Sequence, residues 1–228
     1  MDRVDSLRWR LRAFRYGTLA LLGVNRDPRV AYLRDRRMGP RPVRAEQPPR
    51  PPWSGPPDDE VGVAVAARMV IASQPRLFIA VTDCAAYSNG FSLGLAVRSK
   101  DDIDPEQMGM RSPFERENTS GIQIGIRFSD GREVRANGYG PNPMLMRYYK
   151  DWSEGKSPEA PPGPVIGPTS GGGGGRNWNF NYFIALLPPD GPVMITCRWP
   201  ARGLQTAGKE LNGTSIRAAG LKSKSVWG

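Results

Sequence analysis

From Val61 onward, apolar residues recur at every second position, which is the spacing of a strand with one buried face. Four segments place their apolar side chains on one face in this way: Phe91, Leu93, Leu95 and Val97; Ile122, Ile124, Ile126 and Phe128; Trp178, Phe180, Tyr182 and Ile184; and Val193, Ile195, Cys197 and Trp199. Segments 61–73, 76–87 and 132–136 are further strand candidates, and 213–220 is predicted as a short closing strand. About seven strands with little helix predict a mainly β fold, an antiparallel β-sandwich of Ig-like or jelly-roll-like type.

Glycine-containing segments connect these strands. Asp130-Gly131, in "SDGR", suits a type I′ hairpin turn. The five glycines at 171–175 lack the Lys-Ser/Thr pair and the following helix of a phosphate-binding loop. The segment after Tyr182 holds too few strands for a second domain. The run is therefore predicted to join two elements of one sandwich, as a mobile loop tip, because ordering five glycines costs conformational entropy.

The first 60 residues have a different pattern and are predicted to form a basic helical arm (1–39) and a Pro-rich linker (40–60). Ser6 can cap a helix over 7–22. Its apolar face holds Leu7, Leu11, Phe14 and Leu21. A second helix is bounded by Asp27-Pro28 at its start and by Gly39 at its end. Residues 40–58 contain eight prolines, which is typical of an extended linker, and 61–228 are predicted to be the sandwich domain.

A long insertion, 137–170, interrupts the strand pattern of this domain. It is rich in proline and glycine and contains one helical segment, "NPMLMRYYKDW", with Asn142 as the cap and Pro143 at the first helical position. Aromatic and basic residues interleave there, as in surfaces that bind single-stranded nucleic acid or proteins. The candidate partner-binding residues are Arg147, Tyr148, Tyr149 and Trp152. In the alternative interpretation, the helix packs Trp152 onto its own sandwich.

Positive charge is concentrated at the start of the chain. The net charge is +10; residues 1–50 hold 13 arginines and 5 acidic residues (+8), and the other 178 residues hold 19 basic and 17 acidic residues (+2). Such asymmetry indicates a polyanionic partner: a nucleic acid, a ribonucleoprotein or an anionic membrane. The candidate anion-binding residues are Arg8, Arg10, Arg12, Arg15, Arg34, Arg36 and Arg37. Packing of the arm on its own domain is an alternative that the sequence leaves open.

The residue inventory restricts the chemistry. The chain has no histidine, which excludes Ser-His-Asp and Cys-His catalysis and His-ligated zinc. Cys84 and Cys197 are predicted to be buried thiols, although a bridge between sheets stays possible. The acidic positions of "DDIDPE" (Asp102, Asp104 and Glu106) lack the glycine and distant glutamate of an EF-hand and are predicted to be a solvated loop. A carboxylate pair could be drawn from Asp83, Asp130 and Asp190, but turn chemistry explains two of these. We therefore expect no enzyme activity, no metal and no cofactor.

The longest apolar stretch near the start of the chain, Tyr16 to Val24, is far shorter than the about 20 residues of a spanning helix. It is also followed by no small-x-small cleavage pattern. A cytoplasmic protein is therefore predicted.

Several segments carry a resemblance: "YSNGFSLGLAVR", "GIRFSDGR", "GGGGGRNWNFNYFIALLPPDGPVMITCRWPARGL" and the closing "SVWG". Over about residues 60–227 the chain resembles a family of uncharacterised, actinobacterial-type β-sandwich proteins. The resemblance implies a cytoplasmic β domain and no assigned activity. The Arg-rich start and the insertion at 137–170 depart from the family pattern.

Together these patterns predict a non-enzymatic interaction protein, in which a β-sandwich module is tethered to an anionic partner or a larger assembly through its Arg-rich arm. A protein partner could bind at 137–170. The alternatives are a structural, capsid-like assembly subunit, for which oligomerisation is expected, and a histidine-free carboxylate hydrolase.

Overall fold

The computed structural model describes residues 48–109 and 121–227. The chain divides into two compact units, Met1–Gln47 and Pro48–Gly228, and every described residue belongs to the second. The predicted helices over 7–22 and 27–39 lie outside the described residues.

Ten antiparallel strands and two α-helices form the described part of the chain. The strands are β1 Val63–Ala64, β2 Met69–Ser73, β3 Leu77–Tyr87, β4 Gly90–Ser99, β5 Gln123–Arg127, β6 Glu133–Asn137, β7 Ile166–Gly174, β8 Asn177–Ala185, β9 Pro192–Trp199 and β10 Leu204–Asn212. The helices are α1 Pro143–Ser153 and α2 Gly213–Gly220. The large sheet has the order β1-β3-β4-β8-β7, with β2 also paired to β3, and the small sheet has the order β10-β9-β5-β6. This confirms the mainly β, antiparallel sandwich prediction, with ten strands in place of about seven.

The core lies between the inner faces of the two sheets. The inward residues predicted from the alternation on β4, β5, β8 and β9 are all buried. Phe91 of the large sheet packs against Phe128, next to β5 of the small sheet, with ring centroids 6.4 Å apart. Cys84 and Cys197 lie in this core as free thiols, which confirms the thiol prediction.

A β-bulge in β3 keeps a charged residue out of the core. The register between β3 and β4 shifts between Val81 and Asp83, so Thr82 and Asp83 are both exposed. Strict alternation after Val81 would turn Asp83 inward. The extra residue of the bulge instead returns Cys84 to the buried face.

The glycine run is a strand and not a loop tip, so the prediction of a mobile tip was wrong. Gly171 to Gly174 complete β7 and pair with β8, and the turn follows at Gly175, whose φ is +54°. Backbone hydrogen bonds to β8 offset the conformational entropy that these glycines lose. The connection does join two elements of one sandwich, as predicted.

The turn between β5 and β6 also differs from its prediction. A type I′ turn needs positive φ at both central residues, but in this turn only Gly131 has one, at +87°. Phe128 accepts a hydrogen bond from the Gly131 amide at 3.0 Å and donates one to the Arg132 carbonyl at 2.9 Å. The turn is therefore a three-residue loop that ends in a left-handed glycine.

The segment predicted as a closing strand, 213–220, is helix α2. Asn212 caps it by accepting a hydrogen bond from the Ser215 amide at 2.9 Å, and Ile216 and Ala219 are buried at helical spacing. The strand before it, β10, was not predicted.

Candidate functional site

The predicted arginines of the arm (Arg8, Arg10, Arg12, Arg15, Arg34, Arg36 and Arg37) lie outside the described residues. The predicted partner-binding residues of the insertion are described. All four lie on α1, which begins as expected: Asn142 accepts hydrogen bonds from the amides of Met144 and Leu145. None of the residues of α1 is buried.

Tyr148 of α1 contacts the end of the Pro-rich segment. Its hydroxyl donates a hydrogen bond to the Pro49 carbonyl at 3.1 Å, and its ring meets that of Trp53 edge to face at 5.9 Å. Tyr149 packs edge to face on Tyr148 at 5.5 Å. Trp152 is half-buried. The residues from Pro48 onward thus belong to the folded unit, and Tyr148 is engaged within it.

The charges on α1 are nearly balanced. Arg147 is 84% exposed and lies 3.6 Å from Asp151, and Lys150 lies 3.9 Å from Glu154, both at the i, i+4 spacing. Solvent screening leaves such exposed pairs with small interaction energies. The helix therefore presents half-exposed aromatic rings beside a mixed-charge surface, without a concentration of cations.

A second candidate site, which was not predicted from the sequence, lies on the outer face of the small sheet. Side chains alternate along each strand, so the residues between the buried ones point outward. On β5 and β6 these are Gln123, Gly125 and Arg127, and Glu133, Arg135 and Asn137. On β9 they are Met194, Thr196 and Arg198. The face therefore gathers three arginines from three adjacent strands.

The register places the outward residues of neighbouring strands side by side, in rows that run across the sheet and are called ranks. Gly125 pairs with Arg135 on one side and with Thr196 on the other. Arg198 and Gln123 form one neighbouring rank, and Arg127 and Glu133 form the other. Gly208 of β10 pairs with Thr196 and extends the central rank. Glu210, also on β10, adds a second carboxylate to the rank of Arg127.

A hollow of about 210 Å³ opens at the centre of these ranks. Its floor lies at Gly125, where a Cβ atom would come within 2.4 Å of the Thr196 hydroxyl oxygen. Side chains from all four strands line it: Gln123, Arg127, Glu133, Arg135, Thr196, Arg198 and Thr206. The missing side chain at Gly125 therefore creates a depression between the polar side chains that surround it.

The three arginines differ in their partners. Arg135 forms an ion pair with Glu133, and the Arg198 guanidinium donates a long hydrogen bond, 3.4 Å, to the Gln123 side chain. Within residues 48–109 and 121–227, the Arg127 side chain makes no ion pair or hydrogen bond. Arg127 and Arg198 thus keep most of their donors free for a ligand.

The two cysteines and Asp130, which are candidates for catalysis by residue type, lie outside this hollow. Burial raises the pKa of both cysteine thiols to about 12, which keeps them protonated at neutral pH. Asp130 accepts hydrogen bonds from the Arg132 amide and side chain within its turn. Desolvation acts to raise the pKa of Asp130, but these hydrogen bonds and the Arg132 charge outweigh it and the pKa is lowered.

The acidic loop at 101–106 is bound into the fold. Asp104 caps a short 3-10 helix at Pro105–Met108, and Asp102 pairs with Arg176 at 3.2 Å. In the part of the chain that the structure describes, no three acidic or cysteine side chains are grouped so that they could hold a metal ion. Among the same residues, no helix has the length and apolar character to cross a membrane.

Known proteins add no further assignment, since comparisons with protein-family models, curated proteins and solved structures found nothing that matches this chain. The outer face of the small sheet is the candidate site that the geometry of the described residues supports. The signal for it was present in "GIQIGIRF", "REVRA" and "VMITCRW", whose outward positions carry the arginines. Only the pairing of these strands shows that the three arginines share one face.

Proposed function

We propose that this protein is a non-enzymatic interaction protein that binds an anionic macromolecule, with a nucleic acid as the first candidate. The observation that carries the proposal is the hollow over Gly125, which Arg127, Arg135 and Arg198 line. In this proposal the folded unit supplies a defined anion-binding face, and the Arg-rich arm adds electrostatic attraction.

The spacing of the three arginines supports a chain-like ligand. They lie in three successive ranks, and ranks on one face of an antiparallel sheet are about 7 Å apart, twice the rise per residue. An extended anionic chain lying along the strands would meet a guanidinium at each rank. Arginine suits this role because its planar group can donate two parallel hydrogen bonds to one phosphate.

The residues that could perform chemistry support binding over catalysis. The chain contains no histidine, and both thiols are buried with raised pKa values. Asp83 lies on the outer face of the large sheet, while Asp130 is held by Arg132 in the turn after β5. A protein that only binds a ligand needs no catalytic acid, base or nucleophile.

The test compares the full-length protein with the double variant Arg127→Ala/Arg198→Ala. Binding to a labelled single-stranded RNA, a DNA of the same sequence and anionic vesicles is measured between about 50 and 200 mM salt, where phosphate contacts weaken strongly. For a single strand, losing two phosphate contacts should lower the slope of log K against log salt by about 1.4, that is 0.7 per contact.

The matched control is Arg68→Ala/Lys222→Ala, which removes the same charge from exposed positions outside the small-sheet face. We expect the control to bind nearly as the unmodified protein does. If both double variants lose affinity equally, net charge alone drives binding and the face has no special role. If the unmodified protein binds none of the three ligands, the proposal is wrong.

A further inference from the structure

The hollow over Gly125 has the features of a pocket for one anionic group rather than of a uniformly charged surface. Thr196 lies between two glycines on the neighbouring strands, Gly125 and Gly208. Because neither glycine has a side chain, the Thr196 hydroxyl is accessible from above the sheet. Its contact with the Gly125 carbonyl is long, 3.4 Å, which leaves this hydroxyl able to donate to a ligand.

The size and lining of the hollow restrict the ligand. Its volume of about 210 Å³ lies below the roughly 300–1,000 Å³ of pockets for drug-sized ligands. No aromatic side chain lines it, so it offers no surface on which a base could stack. The neutral groups at its edge are the Thr206 hydroxyl and the Gln123 side-chain amide, which suit hydroxyl groups of a ligand.

The charge of the lining favours a doubly charged group. Three arginines and one glutamate line the hollow, which gives a net charge of +2. A phosphate monoester carries about −1.5 to −2 at pH 7, whereas a carboxylate or a phosphodiester carries only −1. The monoester therefore matches the hollow best.

We infer that the hollow binds a sugar phosphate monoester, either as a free small molecule or as the 5′-phosphorylated end of a nucleic acid strand. Arg127, Arg198 and the Thr196 hydroxyl contact the phosphate, while Gln123 and Glu133 contact sugar hydroxyls. The inference deepens the proposed function and rests on it, because the same face is used. It adds recognition of a strand end to binding along a strand.

The test uses the full-length protein and two oligonucleotides of one sequence that differ only in a 5′-phosphate or a 5′-hydroxyl. We expect the 5′-phosphorylated strand to bind about tenfold more tightly, in line with one additional set of charge-assisted hydrogen bonds. Ribose 5-phosphate should compete for the site, and ribose should not. Thr196→Val, which keeps the shape and removes the hydroxyl, and Arg127→Gln should each reduce the preference to near one.

The variant Gly125→Leu fills the hollow and should abolish the preference, and its thermal unfolding is measured in parallel. If this variant fails to fold, Thr196→Val and Arg127→Gln still decide the inference, because they change only side chains on the outer face and none in the core. Arg68→Gln is the matched control and should keep the tenfold preference.

Equal binding of the two strands would overturn the inference and leave the proposed function intact. Suppose that ribose 5-phosphate binds the unmodified protein but not Thr196→Val, and that neither strand binds. The inferred phosphate pocket is then supported, and its ligand is the free sugar phosphate. That result would overturn the proposed nucleic acid partner. A preference for the 5′-phosphate that survives both Thr196→Val and Arg127→Gln would place recognition outside the hollow and overturn the inference.

Discussion

Cys84 and Cys197 are 3% and 0% exposed in the core, which explains why their thiols behave as small apolar groups. Desolvation raises the pKa of each thiol from 9.0 to about 12, and the charge of Asp83 adds to the shift at Cys84. A buried thiolate would lack both solvent and a counterion. The burial of these thiols therefore links their ionisation to folding.

The first prediction concerns this link. Below pH 9 the thiols are protonated in both the folded and the unfolded chain; from about pH 9 to 12 only the unfolded chain releases the protons. The free energy of unfolding should therefore fall as the pH rises through this range. Urea unfolding at pH 8, 9 and 10 measures it.

Lysines and tyrosines also titrate in this range, so the control is the variant Cys84→Val/Cys197→Val. Its free energy of unfolding should fall less steeply with pH than that of the unmodified protein. Identical pH slopes for the two proteins would show that thiol ionisation is not coupled to folding.

At the scale of elements, the glycine run of β7 contains two kinds of glycine, which differ in the space available for a side chain. A Cβ atom at Gly173 would lie 2.2 Å from the Asn177 carbonyl oxygen, and its φ of +159° is one that other residues rarely adopt. A Cβ atom at Gly172 would have open space around it, with no described residue beyond its chain neighbours within 4 Å, and the φ of Gly172 is not positive. Adjacent glycines therefore have opposite structural requirements.

The second prediction follows from this contrast. Gly172→Ala should leave stability unchanged or raise it by about 0.4–1 kcal/mol, because alanine reduces the entropy of the unfolded chain. Gly173→Ala should destabilise the protein by about 1–3 kcal/mol, since strand and turn must shift. Thermal or urea unfolding of the two variants provides the comparison, and equal effects would contradict it.

The elements that could be predicted from sequence are those whose pattern is local. β4, β5, β8 and β9 each turn one face towards the core, so apolar residues mark them at every second position. β7 could not be predicted, because glycines carry no such pattern and its pairing with β8 alone makes it a strand. For α2, Asn212 and Ser215 did provide a capping signal, but the short segment also fits a strand period.

The candidate site was less predictable than the fold for the same reason. Gln123 and Arg127 are ordinary outward residues of β5 when that strand is considered alone. Their proximity to Arg198 depends on the pairing of β5 with β9, which lie about 70 residues apart in the chain. Tyr148, in contrast, was predicted from sequence as a partner-binding residue, and its described contacts lie within the chain, at Pro49 and Trp53.

At the scale of the whole molecule, the boundary of the folded unit lies at Pro48. Trp53 packs with Tyr87 against a small cluster of buried residues, Val165, Phe183 and Ala185. Asn89 fixes the same segment by donating hydrogen bonds to the carbonyls of Pro52 at 2.6 Å and Gly55 at 3.0 Å. The end of the Pro-rich segment thus covers apolar surface of the sandwich.

The third prediction concerns this boundary. A chain that begins at Asp58 should unfold about 5–10 °C below one that begins at Pro48, since uncovering this cluster costs about 2–3 kcal/mol. Differential scanning calorimetry measures the two midpoints. Trp53→Ala in the longer chain should reproduce most of the loss, and equal midpoints for the two chains would place the boundary after residue 57.

The length of the glycine run in β7 also fixes how the start of this strand is aligned with β8. The residues of the run carry no side chains that could fix the register, so the two ends must set it: Ile166 opposite Ile184, and Gly174 opposite Asn177 at the turn. Asn142 anchors the insertion at the first of these ends through the Ile166 carbonyl, at 3.1 Å. Because side chains alternate between faces, one glycine more or fewer would turn Ile166 away from the core if the bulge between Pro168 and Ser170 stayed the same. The length of the run therefore sets the point at which the insertion meets the sandwich.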